Sequence, residues 1–456
     1  MIPRFARAPY EVVARRRPVD VVSPTSVLLD LDAPGPASWR PTPHPAPYAA
    51  VEAEPTPGGP VSVLLGSGGV RLRGELDDAS GAAWLVVDVG SGPQTFRSRR
   101  SAAIAADDPV QAIALSLTGT HACVLTRGRT GWTARAKADL SRLGADTRDE
   151  TWLAGLHSGH TGAVTRLRAG GFGQLGLRDI RAVTRADGSA YRPDGPTGPV
   201  LLSATSAGPG FFDTAHTSVW RLDPRTLELG HAADLFFRRP DRPGAYGDHA
   251  THLVRDDDRW LVATSTWGDF DRRRARARVD VTLAESSTDL LTGRHLLDTR
   301  PLALPATQSV GVWDPHLVRT AEGWIVGYVS ARKFFDFHPE VATGASLEAL
   351  TVHAALGDRR SSEGTTVLIE DGRAWVLASD GRDNRRRHRE RYPVLSLDLD
   401  EVTTLPAPYP SNIPWPTLVD LGPDGWLHVA FDGSRHGGRV VGYGSHGQVV
   451  LARAAR

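Results

Sequence analysis

Short apolar runs of roughly four to eight residues recur along most of the chain, broken by Gly, Ser, Asp and Thr, and this texture predicts strands rather than helices. Between Val61 and Ala138 the runs are VSVLLG, VRLRGEL, AAWLVVDV, AIALSLTG, ACVLTRG and GWTARAKA. In VRLRGEL the apolar Val70, Leu72 and Leu76 stand among charged residues, which suits a half-exposed antiparallel strand. A small β-sandwich-like accessory domain is therefore expected over 61–155. Ahead of it, Pro34 to Pro60 carries PGPASWRPTPHPAP and PTPGGP. Proline removes backbone donors and disfavours helix, so residues 1–60 are expected to form an irregular segment, a linker or a wrapped arm.

After Gly155 a longer unit repeats. Asp314 opens DPHLVRTAEGWIVGYVS and Glu363 opens EGTTVLIEDGRAWVLAS; each acid stands nine positions before a glycine (Gly323, Gly372) and sixteen before a serine (Ser330, Ser379). Asp179 keeps the same nine-residue offset to Gly188. Further copies begin at Ala250 (ATHLVRDDDRW) and Pro416 (PTLVDLGPDGWLHVAF). Asp187-Gly188, Asp371-Gly372 and Asp424-Gly425 are hairpin signals, because glycine accepts positive φ without a steric penalty. Outer strands follow, HTSVWRLD with LELGHA and YPVLSLDL with EVTTL. Such a period in all-β sequence points to propeller blades, and five fill the length, giving an all-β protein with a five-bladed β-propeller over 165–456. The first strand of each blade lines the central channel, so Asp179, Asp314 and Glu363 are expected to converge.

Charge and composition remove several function classes. Among 456 residues, 53 Lys and Arg balance 52 Asp and Glu, a net charge of +1 that offers no general field for nucleic acid or an anionic membrane. The arginine runs Arg272 to Arg278 and Arg385 to Arg391 lack interleaved aromatic platforms and are expected to be solvated loops. The single cysteine, Cys123, can form no intrachain disulfide and is expected to be a buried apolar residue. Arg4, Arg7 and Arg15-Arg16-Arg17 are followed by no apolar signal-peptide core, and no segment reaches the ~18 apolar residues of a membrane span, so a cytoplasmic protein is expected.

Three carboxylates near one axis make the strongest chemical signal. Burying an unpaired charge costs several kcal/mol or shifts the pKa toward neutrality, and neighbouring acids drive their pKa values apart. One is then protonated while another stays ionised, the division of labour that glycosidic cleavage uses. Trp267, Trp313 and Trp415 lie where an aromatic face could stack on a sugar, or could pack between blades. Arg178 and Arg382 could bind substrate hydroxyls or pair with the acids. Strand alternation places His316, two residues from Asp314, on the pocket face in preference to His249. His446 alone defines no ligand set, so no metal and no cofactor are expected.

Asp179, Asp314 within WDPHLV and Glu363 within SEGTTVLIEDG, in that order, resemble the pattern of glycoside hydrolase family 43 and its five-bladed relatives, which act on arabinans and xylans. The resemblance spans Gly173 to Ala452. It implies a general base at Asp179, a residue tuning and orienting the acid at Asp314, and the general acid at Glu363. It also implies an arabinofuranoside- or xyloside-type substrate and an inverting outcome. Thr365 stands where the family commonly has proline after Glu-Gly, and Ile180 follows the base where proline is frequent. The alternatives are a non-catalytic carbohydrate- or protein-binding propeller and a related transferase or phosphorylase. Nothing in the sequence sets the oligomeric state.

Overall fold

A computed structural model describes residues 2–77, 79–102, 108–274, 277–306, 309–411, 413–435 and 442–455. Ala275 and Arg276, inside the first arginine run, lie outside the described residues. Seven sheets account for almost all regular structure. Two of the three six-stranded sheets pack face to face. The first runs in the order Gly131–Asp139, His121–Gly128, Ala112–Thr118, Tyr48–Pro55, Val164–Gln174 and Asp20–Asp32; the second runs Ala37–Pro41, His157–Thr161, Val61–Ser67, Val70–Asp77, Ala82–Asp88 and Pro93–Phe96. Alternate residues of both sheets, among them Val51, Val63, Leu65, Leu72, Leu85, Leu115, Leu117 and Val124, meet in one aliphatic core.

Residues 1–60 are therefore not irregular. They supply Tyr10–Arg16, Asp20–Asp32, Ala37–Pro41 and Tyr48–Pro55. Their prolines fall where a missing N–H costs little: Pro24 and Pro41 lie on strands at the edges of their sheets, and the others mostly between strands. The sandwich boundary moves too, since its sheets use residues from Asp20 to Gln174, including Val164–Gln174, which the sequence assigned to the next domain.

The remaining five sheets follow one another along the chain. Their leading strands are Leu177–Ala182, His249–Asp256, Gly311–Thr320, Ser362–Glu370 and Thr417–Asp420, each continuing as an antiparallel meander, and Gly293–Asp298 and Thr184–Arg185 add parallel strands to the first and second sheets. The fifth sheet is completed by the N-terminus: Tyr10–Arg16 pairs antiparallel with Gln448–Ala454, Tyr10 opposite Ala454. Apolar seams join each sheet to the next. Leu201, Val219, Leu253 and Val262 join the first and second, Leu283, Leu317 and Val326 the second and third, and Val318, Val341, Val367 and Val376 the third and fourth. Leu377, Val394 and Leu418 join the fourth and fifth, while Ile180, Val419 and Phe431 return the fifth to the first. The sandwich docks through Tyr48, Phe172 and Phe236, with Arg294 Nη2 donating to Tyr48 O at 2.7 Å.

Candidate active site

Each of the first four leading strands carries a bulge near its start. Pairing to the second strand jumps between Arg178 and Arg181, between His249 and His252, between Trp313 and His316, and between Glu363 and Thr366. Just after each jump begins, the backbone turns left-handed: φ is 49° at Asp179, 61° at Ala250, 59° at Asp314 and 70° at Gly364. Such a conformation costs a non-glycine residue about 1 kcal/mol or more, and it re-aims the side chain out of the regular pleat. The equivalent of Asp179 and Asp314 is thus Gly364, and Glu363 stands one residue earlier, level with Arg178, His249 and Trp313. The nine-residue offset mislaid this register because its glycines differ in role. Gly323 begins a strand opposite Thr320, whereas Gly372 sits inside the turn between Glu370 and Arg373.

Gly364 is required twice, by its φ and by space: a Cβ there would lie 2.6 Å from the Trp415 ring. Its N–H donates to Asp314 Oδ2 at 3.3 Å, and the N–H of Asp314 donates to Ser265 Oγ at 2.9 Å. Asp314 is 2% exposed. Burial pushes its carboxyl well above the usual range, Glu363 and Asp179 add to that, and Arg181 opposes it. The carboxyl of Glu363 is pushed up to about 7, first by burial and then by the Asp179 charge, against the pull of Arg178 and of the nearby Trp415 and Trp313 indoles. Trp415 Nε1 is nevertheless left without hydrogen-bond geometry to any neighbour. Asp179 is only half-buried.

One step deeper lies a cationic floor. Arg181, fully buried, donates from Nη1 to Thr366 Oγ1 at 3.0 Å and from Nη2 to Asp314 O at 2.8 Å, and its guanidinium lies 4.5 Å over the Trp415 ring. Burial lowers its pKa to about 10, while Asp314 and Asp179 raise it. His252 and His316 stack beside it with ring centroids 4.0 Å apart, and burial pushes both well below the usual imidazole range. Arg181, the main counter-charge, escaped the sequence reading because nothing in DIRAVTR distinguishes it from Arg185.

The structure separates the other expected site residues. Arg178 lies beside the acids, its guanidinium 4.3 Å over Tyr443 and 4.8 Å over Phe431. Trp313 and Trp415 flank Glu363, and Trp267 packs 5.3 Å from Trp313. His316 does not share the acids' level, because the bulge breaks the alternation that favoured it. It instead helps line a cavity of about 1340 Å³ reached from the hairpin turns at Gly188 and Asp371, at the other end of the leading strands. His249 holds the level of Glu363 and feels the Asp179 charge. Arg382 is exposed in the loop after Arg373–Asp380. The second arginine run is tied into the fold, Arg391 pairing with Asp380 and Glu401. Tyr443 and Phe212 lie beside these residues, Tyr443 under Arg178 and Phe212 on Trp267, and were not anticipated, since both stand in connections outside the repeat. Among the described residues no group of three or more His, Cys, Asp or Glu could hold a metal ion.

No protein-family model matches the chain, and no curated protein sequence matches it either. The solved structures it resembles are glycoside hydrolases of five-bladed β-propeller families. The GH43_1 enzyme of Xanthomonas citri complexed with xylose is 14% identical with a TM-score of 0.42, the match covering 62% of this chain and 88% of that one. A GH32 β-fructofuranosidase of Bombyx mori is 12% identical with a TM-score of 0.42, covering 61% of this chain and 60% of that one. Bacillus subtilis levansucrase in complex with oligosaccharides is 8% identical with a TM-score of 0.44, covering 62% and 86%.

Proposed function

We propose that the five consecutive sheets are the blades of one propeller and that the acids at its axis hydrolyse a glycosidic bond of the arabinofuranoside or xyloside type. The observation that carries this is the electrostatic split within one cluster: Glu363 is held protonated up to about pH 7, beside a half-buried Asp179 and a deeply buried Asp314. A protonated carboxyl beside a solvent-reaching carboxylate is what cleavage of an acetal needs. Glu363 gives its proton to the departing oxygen as the bond to the anomeric carbon breaks. A water attacks that carbon from the opposite face and loses its proton to Asp179, so the anomeric configuration inverts. Asp314 keeps Glu363 in place through the Gly364 N–H that it accepts, and Arg181 balances the cluster's negative charge.

Arg178, Trp313 and Trp415 form the surroundings of the scissile sugar in this reading, with Trp267 packed on Trp313 and Arg382 at the exposed rim. The substrate is a carbohydrate, and the hydrolysis itself requires no cofactor. Glu363→Gln should lower kcat on a glycoside with a poorly acidic leaving group by about 10²–10⁴-fold, and Asp179→Asn should do the same whatever the leaving group. Wild-type activity should fall as pH rises through about 7, where Glu363 loses its proton. Unaltered turnover of an alkyl glycoside by Glu363→Gln would sink the assignment.

A further inference from the structure

Aromatic rings form a continuous chain along one side of the acids. Phe212 stacks on Trp267 with centroids 4.6 Å apart and meets Tyr443 edge-on at 5.2 Å. Trp267 meets Phe270 at 5.0 Å and Phe270 meets Phe334 at 4.8 Å, while Phe334 lies parallel to Trp313 at 6.4 Å. Both ends reach the chemistry: Tyr443 lies under Arg178, and Trp313 flanks Glu363.

The outer end of this chain is built against the preferences of the backbone. Lys333 pairs with Asp336, so Phe334 and Phe335 alone make the two-residue turn between Gly323–Lys333 and Asp336–Gly344. Phe335 sits at φ 73°, where glycine is the usual occupant, and is 63% exposed. Glycine there would relieve the strain and remove an apolar ring from water. The turn is not loose, since Arg332 clasps Asp336 at 2.7 Å and also donates to Gly357 O at 3.1 Å. A strained, exposed aromatic on a well-anchored turn whose neighbour Phe334 lies parallel to Trp313 points to contact with a ligand.

The chemistry of the wall selects the ligand. Sugar hydroxyls are held by converging polar side chains, and the carboxylates on these loops are already engaged. Asp213 faces His121 at 3.3 Å, Asp269 is bound by Arg239 at 2.6 Å and Arg242 at 2.8 Å, and Asp336 is held by Arg332. Phe212, Phe270 and Phe334 keep part of their ring surface exposed, and Phe335 most of it. Because Trp313 flanks the proton donor, the group resting on this surface is the one that leaves.

We propose that the Phe334–Phe335 turn and the ring chain of Phe270, Trp267 and Phe212 form a leaving-group subsite for substrates whose aglycone carries an apolar, preferably aromatic, ring. This rests on the glycosidase reading above and specifies it. It can be tested on the full chain with 2-phenylethyl and ethyl glycosides of arabinofuranose and xylose, whose leaving alcohols differ little in acidity, so that a difference in kcat/KM reports the ring. Wild type should favour the phenylethyl glycoside by about tenfold or more, and Phe335→Gly should bring the ratio towards one by raising KM for the phenylethyl substrate alone. A wild-type ratio near one, or a ratio that Phe335→Gly leaves untouched, would overturn the subsite while hydrolysis stopped by Glu363→Gln left the glycosidase reading standing. Failure of every glycoside to react would overturn both.

Discussion

The inter-sheet core of the sandwich and the axis of the five-sheet ring solve opposite problems with the same kind of strand. Between the sandwich sheets Val63, Leu65, Leu72, Leu115, Leu117 and Val124 are fully or almost fully buried and carry no polar atom. At the axis the equally buried side chains are Asp314, Arg181, His252 and His316. The first arrangement gains from every methylene removed from water. The second must offset desolvated charge with hydrogen bonds, stacked rings and mutual attraction, and replacement by well-packed apolar groups would often be neutral or stabilising. Stability thus resides in one region, and the other keeps a standing cost, as the proposed hydrolysis would demand.

The contrast is sharpest in how each region responds to truncation and to pH. Leu115→Ala should destabilise the protein by about 2–5 kcal/mol, measured by chemical denaturation, and by nearly the same amount at pH 5 and pH 8, because Leu115 packs among aliphatic side chains. A strong pH dependence would show that the two regions are not independent.

Glu363→Gln should do the reverse and stabilise the fold, increasingly as pH rises from about 4.5 to about 7. The folded-state pKa of Glu363 is raised from 4.5 to about 7. A raised group contributes stability below its unfolded pKa and loses it as pH rises through the folded value. The loss amounts to at most about 3 kcal/mol above pH 7, an upper bound because the side chain keeps some exposure. Glutamine cannot ionise and escapes that loss. The variant should therefore unfold later than wild type at pH 8 and together with it at about pH 4. Equal stability at both values would mean that Glu363 is not desolvated.

The sequence showed the region of regular packing better than the region of chemistry. Alternation in VRLRGEL and the Asp-Gly turns follow from periodicities of two and from glycine's tolerance of positive φ, and both appear where expected, Val70–Asp77 as a strand and Asp371-Gly372 in a left-handed turn. The three acids were legible as a cluster, yet their register was one residue out at Glu363. A bulge adds a residue without changing composition, and only the pairing of Glu363 with Ser379 and of Thr366 with Leu377 reveals it. His316 was misplaced for the same reason. Tyr10–Arg16 was invisible as a strand because its partner, Gln448–Ala454, lies at the other end of the chain.

Phe335→Gly carries the comparison to the rim. A strained turn away from any function tends to be replaced by its preferred residue, whereas a strained turn at a site persists despite its cost. Glycine at φ 73° should raise the denaturation free energy by about 1 kcal/mol even as it weakens the phenylethyl preference. Lower stability in the variant would mean that the ring packs on its own fold rather than waiting for a ligand.

The smallest effect isolates a single charge. Arg178 stands level with Glu363 on the leading strand of another sheet, its guanidinium carried over Tyr443 and Phe431, and its positive charge favours the ionised form of Glu363. Arg178→Met keeps much of the stem that packs on those rings and removes the charge. The Glu363 pKa must then rise, so the alkaline limb of the kcat/KM profile should move up by a fraction of a pH unit, while Arg178→Lys should return it most of the way. If Arg178 serves only to bind substrate, both variants would raise KM with the limb unmoved. A limb that shifts with charge and ignores shape places Arg178 among the groups that set the protonation of the acid, which no region of the sandwich core can do.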